Sequence, residues 1–377
     1  MIRSFLLCVG LIWGFITSAF CQQTLTGTLE HDNLTRNYRL RLPKDFQKSE
    51  TLPLIFNFHG FTSNATQQEL YSGMNAVADR ERFAVCYPNG VGAAWNVGWS
   101  FGSQADDVGF VEAMIEKFVD EYGFDRNKIY ACGMSNGGFF SYHLACKLTN
   151  KIAAIASVTG SMVPGSLENC QPSSTLPVLE IHGTADDVVA YNGTANVSLP
   201  VDSVMAFWAS HNRCTGNVVT ENLPNTNTSD QSTVEKYTFT DCENDHTVLL
   251  YKIIGGAHTW PGAVLNIGVT NRDIIANEEI WNFFKKYSLP TINNTDDISN
   301  DIRLFPNPVF DQLTIETTES VSKIEIFSND GKKIMENNTN DSASASLHIP
   351  VGHLIHGMYT VGIFQNGRFS YHRFIKM

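Results

Sequence analysis

Ser135, Asp186 and His258 carry, in that chain order, the hydroxyl, carboxylate and imidazole from which an activated nucleophile can be assembled. Cleaving an acyl bond this way needs an exposed hydroxyl, an imidazole to take its proton and a carboxylate to hold the imidazole. It also needs amide donors for the oxyanion. The pattern Gly-x-Ser-x-Gly occurs twice, at Gly98–Gly102 and Gly133–Gly137, so the pattern alone does not choose. A nucleophile elbow must join a strand to a helix through a strained turn. Only the second copy follows a strand-like run (Lys128 to Cys132) and precedes a helix-like one (Asn136 to Thr149). Ser135 is therefore the expected nucleophile, and Ser100 an ordinary loop serine.

The acid must come from a loop after a later strand. Val178 to Ile181 reads as that strand, and of Asp186 and Asp187 beyond it, Asp186 is the expected acid. Among eleven histidines, His258 follows a strand on a glycine-bracketed loop, Gly255 to Gly262, from which a base can reach the elbow. His246 is expected to start a strand and His211 to sit on a helix, while His348, His353, His356 and His372 fall in the tail. The expected oxyanion donors are the backbone N–H groups of Asn136 and Phe61. His59 and His182 read as strand-end residues bonded to neighbouring loops, and Asp107 as a helix cap. Trp95, Trp99 and Trp260 fall on loops at the catalytic face. Trp99 and Trp260 are candidate substrate contacts, with loop packing an equal alternative.

These residues need a scaffold, and alternating strand-like and helix-like runs from about Thr24 to Ser288 supply it. Expected strands are Leu52–Phe58, Phe83–Tyr87, Lys128–Cys132, Ile152–Val158, Val178–Ile181 and Val248–Ile254. Expected helices are Gln67–Arg82, Asp107–Tyr122, Asn136–Thr149 and Ile274–Tyr287. Near-continuous apolar strands imply a mainly parallel sheet covered on both faces. After Tyr287 the composition changes. Residues 288–301 read as a polar linker. Residues 302–377 read as a small all-β sandwich, with hairpin turns at Asn329-Asp330-Gly331 and Asn366-Gly367.

The 377 residues, 43% hydrophobic and 17% charged, suit a globular chain of two parts. The net charge of −12 and the lack of any basic run argue against a nucleic-acid partner. Residues 1–21, with Arg3 before an apolar stretch and Ala19 near the cleavage point, read as a signal peptide, and no later stretch could span a bilayer. The expected esterase domain is then 22–287. Export permits disulfides. Of eight cysteines, Cys8 and Cys21 leave with the leader, and none of the other six forms a C-x-x-C pair. Spacing alone does not choose a connectivity. The expected pairs are Cys146–Cys170 and Cys214–Cys242, leaving Cys86 and Cys132 as buried strand thiols.

The ordered motifs Phe58-His59-Gly60, Trp99 with Asp106–Phe110, Gly133–Gly138, His182–Asp186 and His258–Gly262 resemble a group of secreted esterases. That group joins feruloyl and acetylxylan esterases with poly(3-hydroxybutyrate) depolymerases. The resemblance covers roughly 24–287 and implies an α/β-hydrolase fold. It also implies Ser135 as nucleophile, Asp186 as acid, His258 as base and Phe61 and Asn136 as oxyanion donors. The group's cysteine placement is compatible with Cys214–Cys242. Phe61 departs from depolymerases, which often have a small residue or cysteine there. The tail, opening with Arg303–Val309 and closing with Phe374-Ile375-Lys376, resembles the C-terminal sorting domain of type IX (Por) secretion. It implies a bacterial source, the secretion machinery as a partner and tail removal at the cell surface; a carbohydrate-binding β-module is the bland alternative.

The expectation is an extracellular serine esterase working through an acyl-enzyme on feruloyl or acetyl esters of plant cell walls, without cofactor or metal. A polyester depolymerase is the nearest alternative. A non-catalytic binding protein on the same fold is the alternative from another class.

Overall fold

The computed structural model describes residues 24–290, 302–317, 320–328, 332–339, 345–365 and 368–377. The expected signal peptide, residues 291–301 of the linker and both expected turns at 329–331 and 366–367 lie outside the described residues. The chain divides into two compact units, Met1–Pro290 and Thr291–Met377.

The first unit alternates strands and helices. In chain order they are β1 (Thr24–His31), β2 (Leu34–Arg41), β3 (Leu54–Phe58), α1 (Ala65–Ser72), α2 (Asn75–Glu81) and β4 (Ala84–Pro88). There follow α3 (Asp107–Tyr122), β5 (Ile129–Met134), α4 (Asn136–Lys147), β6 (Ala154–Val158), β7 (Val178–Gly183) and α5 (Val201–His211). The unit closes with β8 (Val219–Asn222), β9 (Thr233–Phe239), β10 (Val248–Ile254) and α6 (Ala276–Phe284). One ten-stranded sheet results, ordered β1-β2-β4-β3-β5-β6-β7-β10-β9-β8. Its middle, from β4 across to β10, is parallel, and each edge is an antiparallel pair. This is the mainly parallel sheet that the apolar strands implied, in the α/β-hydrolase arrangement that the resemblance implied.

Strand periodicity sorts side chains between two cores. On β3, Leu54, Phe56 and Phe58 join one cluster and Ile55 the other; on β5, Ile129 and Ala131 are separated from Tyr130 and Cys132 in the same way. Helices α3, α4 and α5 cover the first face through residues such as Phe118, Phe140 and Trp208. Helices α2 and α6 cover the second through Val77, Ile280 and Phe284. The central strands are therefore apolar throughout, which is why they read as continuous runs.

The structure differs from the sequence reading at three places. The single helix expected over Gln67–Arg82 is two, because Gly73 takes the left-handed conformation (φ 64°) and closes α1. Asp106, not Asp107, caps α3, its carboxylate accepting from the Gly109 N–H. Asp107 is buried instead, 2.6 Å from Arg36, and accepts from the Asn96 N–H and the Ser103 hydroxyl. It thereby ties down the loop that bears Trp99. His246 does not start a strand; it lies two residues before β10, bonded to Thr175.

The second unit holds a three-stranded and a four-stranded antiparallel sheet. Leu313, Ile315, Ile324, Ile326, Val361 and Ile363 alternate inward to make its core. No helix among the described residues is long and apolar enough to cross a membrane.

Both expected disulfides form, and Cys86 and Cys132 are buried free thiols. Cys146–Cys170 joins the last turn of α4 to the loop after β6 across 24 residues. Replacing both cysteines with serine should lower stability by about 2–4 kcal/mol, since the link restricts the unfolded chain. Urea midpoints of the two forms measure this.

Candidate active site

Ser135 stands alone between the end of β5 and the start of α4, with φ 56° and ψ −123°. A non-glycine residue holds this conformation only where its surroundings impose it. Here the Ser135 N–H donates to the Val158 carbonyl of β6 at 2.9 Å, and its own carbonyl accepts from the Phe139 N–H at 3.0 Å. The flanking glycines are demanded by close approach. A Cβ on Gly137 would lie 2.2 Å from the Phe58 carbonyl oxygen, and one on Gly133 2.6 Å from Gly137 backbone. Both obstacles are main chain and cannot step aside. The turn therefore lifts Ser135 out of the sheet, half-buried, while its neighbours are enclosed.

The loop after β3 is oriented from the other side. His59 accepts at Nε2 from the Gly90 N–H (3.0 Å), so its hydrogen is on Nδ1, which meets the Gly60 carbonyl at 2.7 Å. Burial keeps the ring neutral, with its pKa pulled down to about 4. The Gly60 carbonyl and the Phe61 N–H share one peptide plane and point opposite ways. Holding the carbonyl therefore aims the N–H. Thr62 and Ser63 spend their amides on the Ala93 and Gly60 carbonyls, whereas no group among the described residues accepts from the Phe61 N–H. Asn136 occupies the first position of α4, where an amide has no intrahelical partner. Its side chain is committed to Trp95, accepting from the backbone N–H (2.7 Å) and donating to the carbonyl (3.2 Å). The Trp95 indole donates in turn to the His59 carbonyl at 2.9 Å. Two free amides thus flank the elbow, held by one continuous polar clamp.

Asp186 and His258 come from the loops after β7 and β10, which pair in parallel. The Ala185 N–H donates to the Gly256 carbonyl (2.9 Å) and the Gly255 N–H to Thr184 Oγ1, so the two loops travel together. His258 Nδ1 lies 2.7 Å from Asp186 Oδ2, and Asp186 Oδ1 accepts the N–H groups of Val188 and Val189 at 2.9 and 2.8 Å. Asp186 is buried, while Asp187 is exposed and takes no part. With the carboxylate on Nδ1, the imidazole presents Nε2 as its basic nitrogen. Ser135 and His258 line one cavity of about 490 Å³.

Sequence reasoning missed most of the cavity's walls. Phe61, Leu70, Tyr71, Met134, Leu265 and Ile267 line it. Phe101, from the discounted Gly98–Gly102 copy, lies edge-on to Phe61 at 6.3 Å. The signals were the largely apolar run Val264-Leu265-Asn266-Ile267 after His258 and the Phe inside the first Gly-x-Ser-x-Gly copy. The two tryptophans offered as substrate contacts are packing residues. Trp260 is wholly buried, its indole bonded to Asn277 and its N–H to the Tyr71 hydroxyl, so it backs the wall. Trp99 is nearly buried, donates to the Val197 carbonyl, and stacks beneath Phe101 at 4.9 Å. Among the described residues no group of three or more His, Cys, Asp or Glu is placed to hold a metal.

Residues 36–209 match the esterase PHB depolymerase family, and residues 303–377 match a secretion system C-terminal sorting domain. The resemblance to the secreted esterase group holds over the first stretch, and the second marks the chain for export. The chain is 29% identical over 269 residues to feruloyl esterase B of Piromyces equi, covering 68% of this chain and 46% of that protein. It is 27% identical over 240 residues to a bifunctional acetylxylan esterase/xylanase of Neocallimastix patriciarum, covering 63% and 31%. Feruloyl esterase C of Emericella nidulans is 26% identical, covering 70% and 88%. The chain thus spans less than half the length of the first two relatives. Among solved structures, an acetyl xylan esterase from Aspergillus awamori is 13% identical with a TM-score of 0.49, covering 69% of this chain and 99% of that one.

His59 makes a pH-dependent contribution with a definite sign. It stays neutral when folded down to about 4 but takes a proton near 6.5 when unfolded. Stability should therefore fall as pH drops through that window, because the unfolded chain binds the proton that the folded chain refuses. His143, likewise held at about 4 by burial, adds to the slope. Urea midpoints measured at about pH 7 and about pH 5 should show the loss, and His59→Asn should shrink it.

Proposed function

We propose that the chain is an extracellular serine carboxylic ester hydrolase that works through an acyl-enzyme. The observation that carries this reading is the 2.7 Å contact between His258 Nδ1 and Asp186 Oδ2, with His258 lining one cavity together with Ser135 on its strained turn. His258 Nε2 takes the Ser135 proton as the hydroxyl oxygen attacks the ester carbonyl. The Phe61 and Asn136 amides receive the oxyanion. His258 then gives its proton to the leaving alcohol and afterwards activates the water that releases the acid. Asp186 holds the ring in the tautomer that exposes Nε2. Every step uses side chains and backbone of this chain alone.

The substrate class we favour is a feruloyl or acetyl ester of plant cell-wall polysaccharide. Phe61 and Tyr71 in the cavity lining, with Phe101 edge-on to Phe61, support an aromatic acyl group, as do the relatives bearing feruloyl esterase names. Polyester depolymerase chemistry would use the same triad, and the match to the depolymerase family keeps it as the second reading. Passage across the outer membrane would use the type IX machinery, engaged through residues 303–377.

Ser135→Ala should lower kcat on p-nitrophenyl acetate by at least about 10⁴-fold, and near-native turnover would remove the esterase assignment. Methyl ferulate, acetylated xylan and a short hydroxybutyrate oligomer, compared by kcat/KM, distinguish the substrate classes. The expected preference is for the first two. Activity confined to the oligomer would transfer the assignment to the polyester reading.

A further inference from the structure

Behind Asp186 lies a buried polar chain that the reaction above does not use. His182 Nδ1 is 2.9 Å from Glu180 Oε1, and Nε2 is 2.8 Å from the Val189 carbonyl oxygen and 3.5 Å from Asp186 Oδ2. Neither His182 nor Glu180 reaches solvent. A carbonyl oxygen only accepts, so Nε2 carries a hydrogen. Nδ1 faces a carboxylate whose second oxygen already accepts from the Tyr142 hydroxyl at 2.8 Å. One further proton must therefore sit between Nδ1 and Oε1. On Nδ1 it makes an imidazolium paired with Glu180; on Oε1 it leaves both groups neutral.

The surroundings decide between these two. Burial works against both charged groups and raises the Glu180 pKa, which favours the neutral pair; the hydrogen bond and charge of Glu180, the Val189 carbonyl and the Asp186 charge raise that of His182, and the Asp186 carboxylate 3.5 Å from Nε2 tips the balance to the cation. Tyr142 approaches Glu180 from α4, and Tyr191 lies edge-on to His182 at 5.9 Å. Lys252, opposite His182 in the β7–β10 register, directs its ammonium over the Tyr191 ring at 4.8 Å. Asp186 has no Lys or Arg ion pair among the described residues; the side chains that approach Oδ2 are the imidazoles of His182 and His258. Val189 links them further, donating its N–H to Asp186 Oδ1 while its carbonyl accepts from His182.

We propose that His182, as the cation of an ion pair with Glu180, is a positioning residue for the triad. It closes the Asp186 loop through Val189 and sets positive charge against the same carboxylate oxygen that receives the His258 Nδ1–H. This rests on the triad reading above. The charge has a second effect, because it opposes protonation of His258 as well as of Asp186. Without it, the acid limb of kcat/KM should move upward.

The first test needs no turnover. In the full chain labelled with ¹⁵N-histidine, one ring should show both nitrogens protonated from about pH 6 to about pH 8. That signal should vanish in His182→Asn and in Glu180→Gln. A neutral His182 ring in the unmodified chain overturns the proposal whether or not the chain proves to be an esterase. The second test is Glu180→Gln, whose amide can still accept from Tyr142 and donate to Nδ1, so the hydrogen bonds survive and the ion pair does not. The expected result is a native-like Tm, an unchanged KM and an upward-shifted acid limb. The expected loss in kcat is about tenfold, roughly 1.4 kcal/mol of transition-state stabilisation. An unshifted pH profile at native Tm overturns the proposal. If the variant does not fold, the labelled unmodified chain decides alone.

Discussion

The contact between Gly137 and the Phe58 carbonyl leaves no room for a side-chain carbon, and much of the candidate site follows from it. It lets α4 start directly against the end of β3, so the chain turns sharply at Ser135 instead of continuing the strand. The turn places a hydroxyl above the sheet and the Asn136 amide, at a helix N-terminus, beside it. The same approach brings the β3 loop, with its Phe61 amide, over the elbow: a Cβ on Gly60 would lie 3.3 Å from that of Ser135. The candidate nucleophile and both candidate oxyanion donors thus meet because two backbones touch. The strain in Ser135 is offset by its bond to Val158 on the next strand.

Around that contact, several buried polar groups are paired in chains. Asn136 holds Trp95, Trp95 holds the His59 carbonyl, and His59 holds Gly60. On the far side Tyr142, Glu180, His182 and Asp186 run beneath His258. In a low-dielectric interior an unpaired member of such a chain is costly, so each link restricts its neighbour. Precision at the reacting atoms is carried by these bonds, while the apolar mouth of Phe61, Phe101, Leu265 and Ile267 is free of such demands.

Export explains another pair of features. Disulfides persist only in an oxidising compartment, and here they secure loops that carry no strand pairing of their own. One anchors the segment after β6 to α4; the other joins the end of α5 to the loop after β9. The two buried thiols lie on β4 and β5, on opposite faces of the sheet, and pack as small apolar residues.

Chain order and local pattern were enough to pick out Ser135, Asp186 and His258 as candidates. Strand, turn and helix signals are local, and a motif carries its own backbone requirements in its glycines. The parallel sheet was legible for a similar reason, since strands buried on both faces must be apolar at every position. What the residues could not reveal depends on which distant segments share space. Asp107 looked like a cap until Arg36, on a different strand, drew it inward. Substrate contact and loop packing were equal readings of Trp260 until α6 supplied Asn277 to receive its indole. Phe101, inside a motif with no strand before it, meets Phe61 of the cavity lining only because its loop folds back. Burial and partnership across the fold are set by tertiary packing, and no local pattern encodes them.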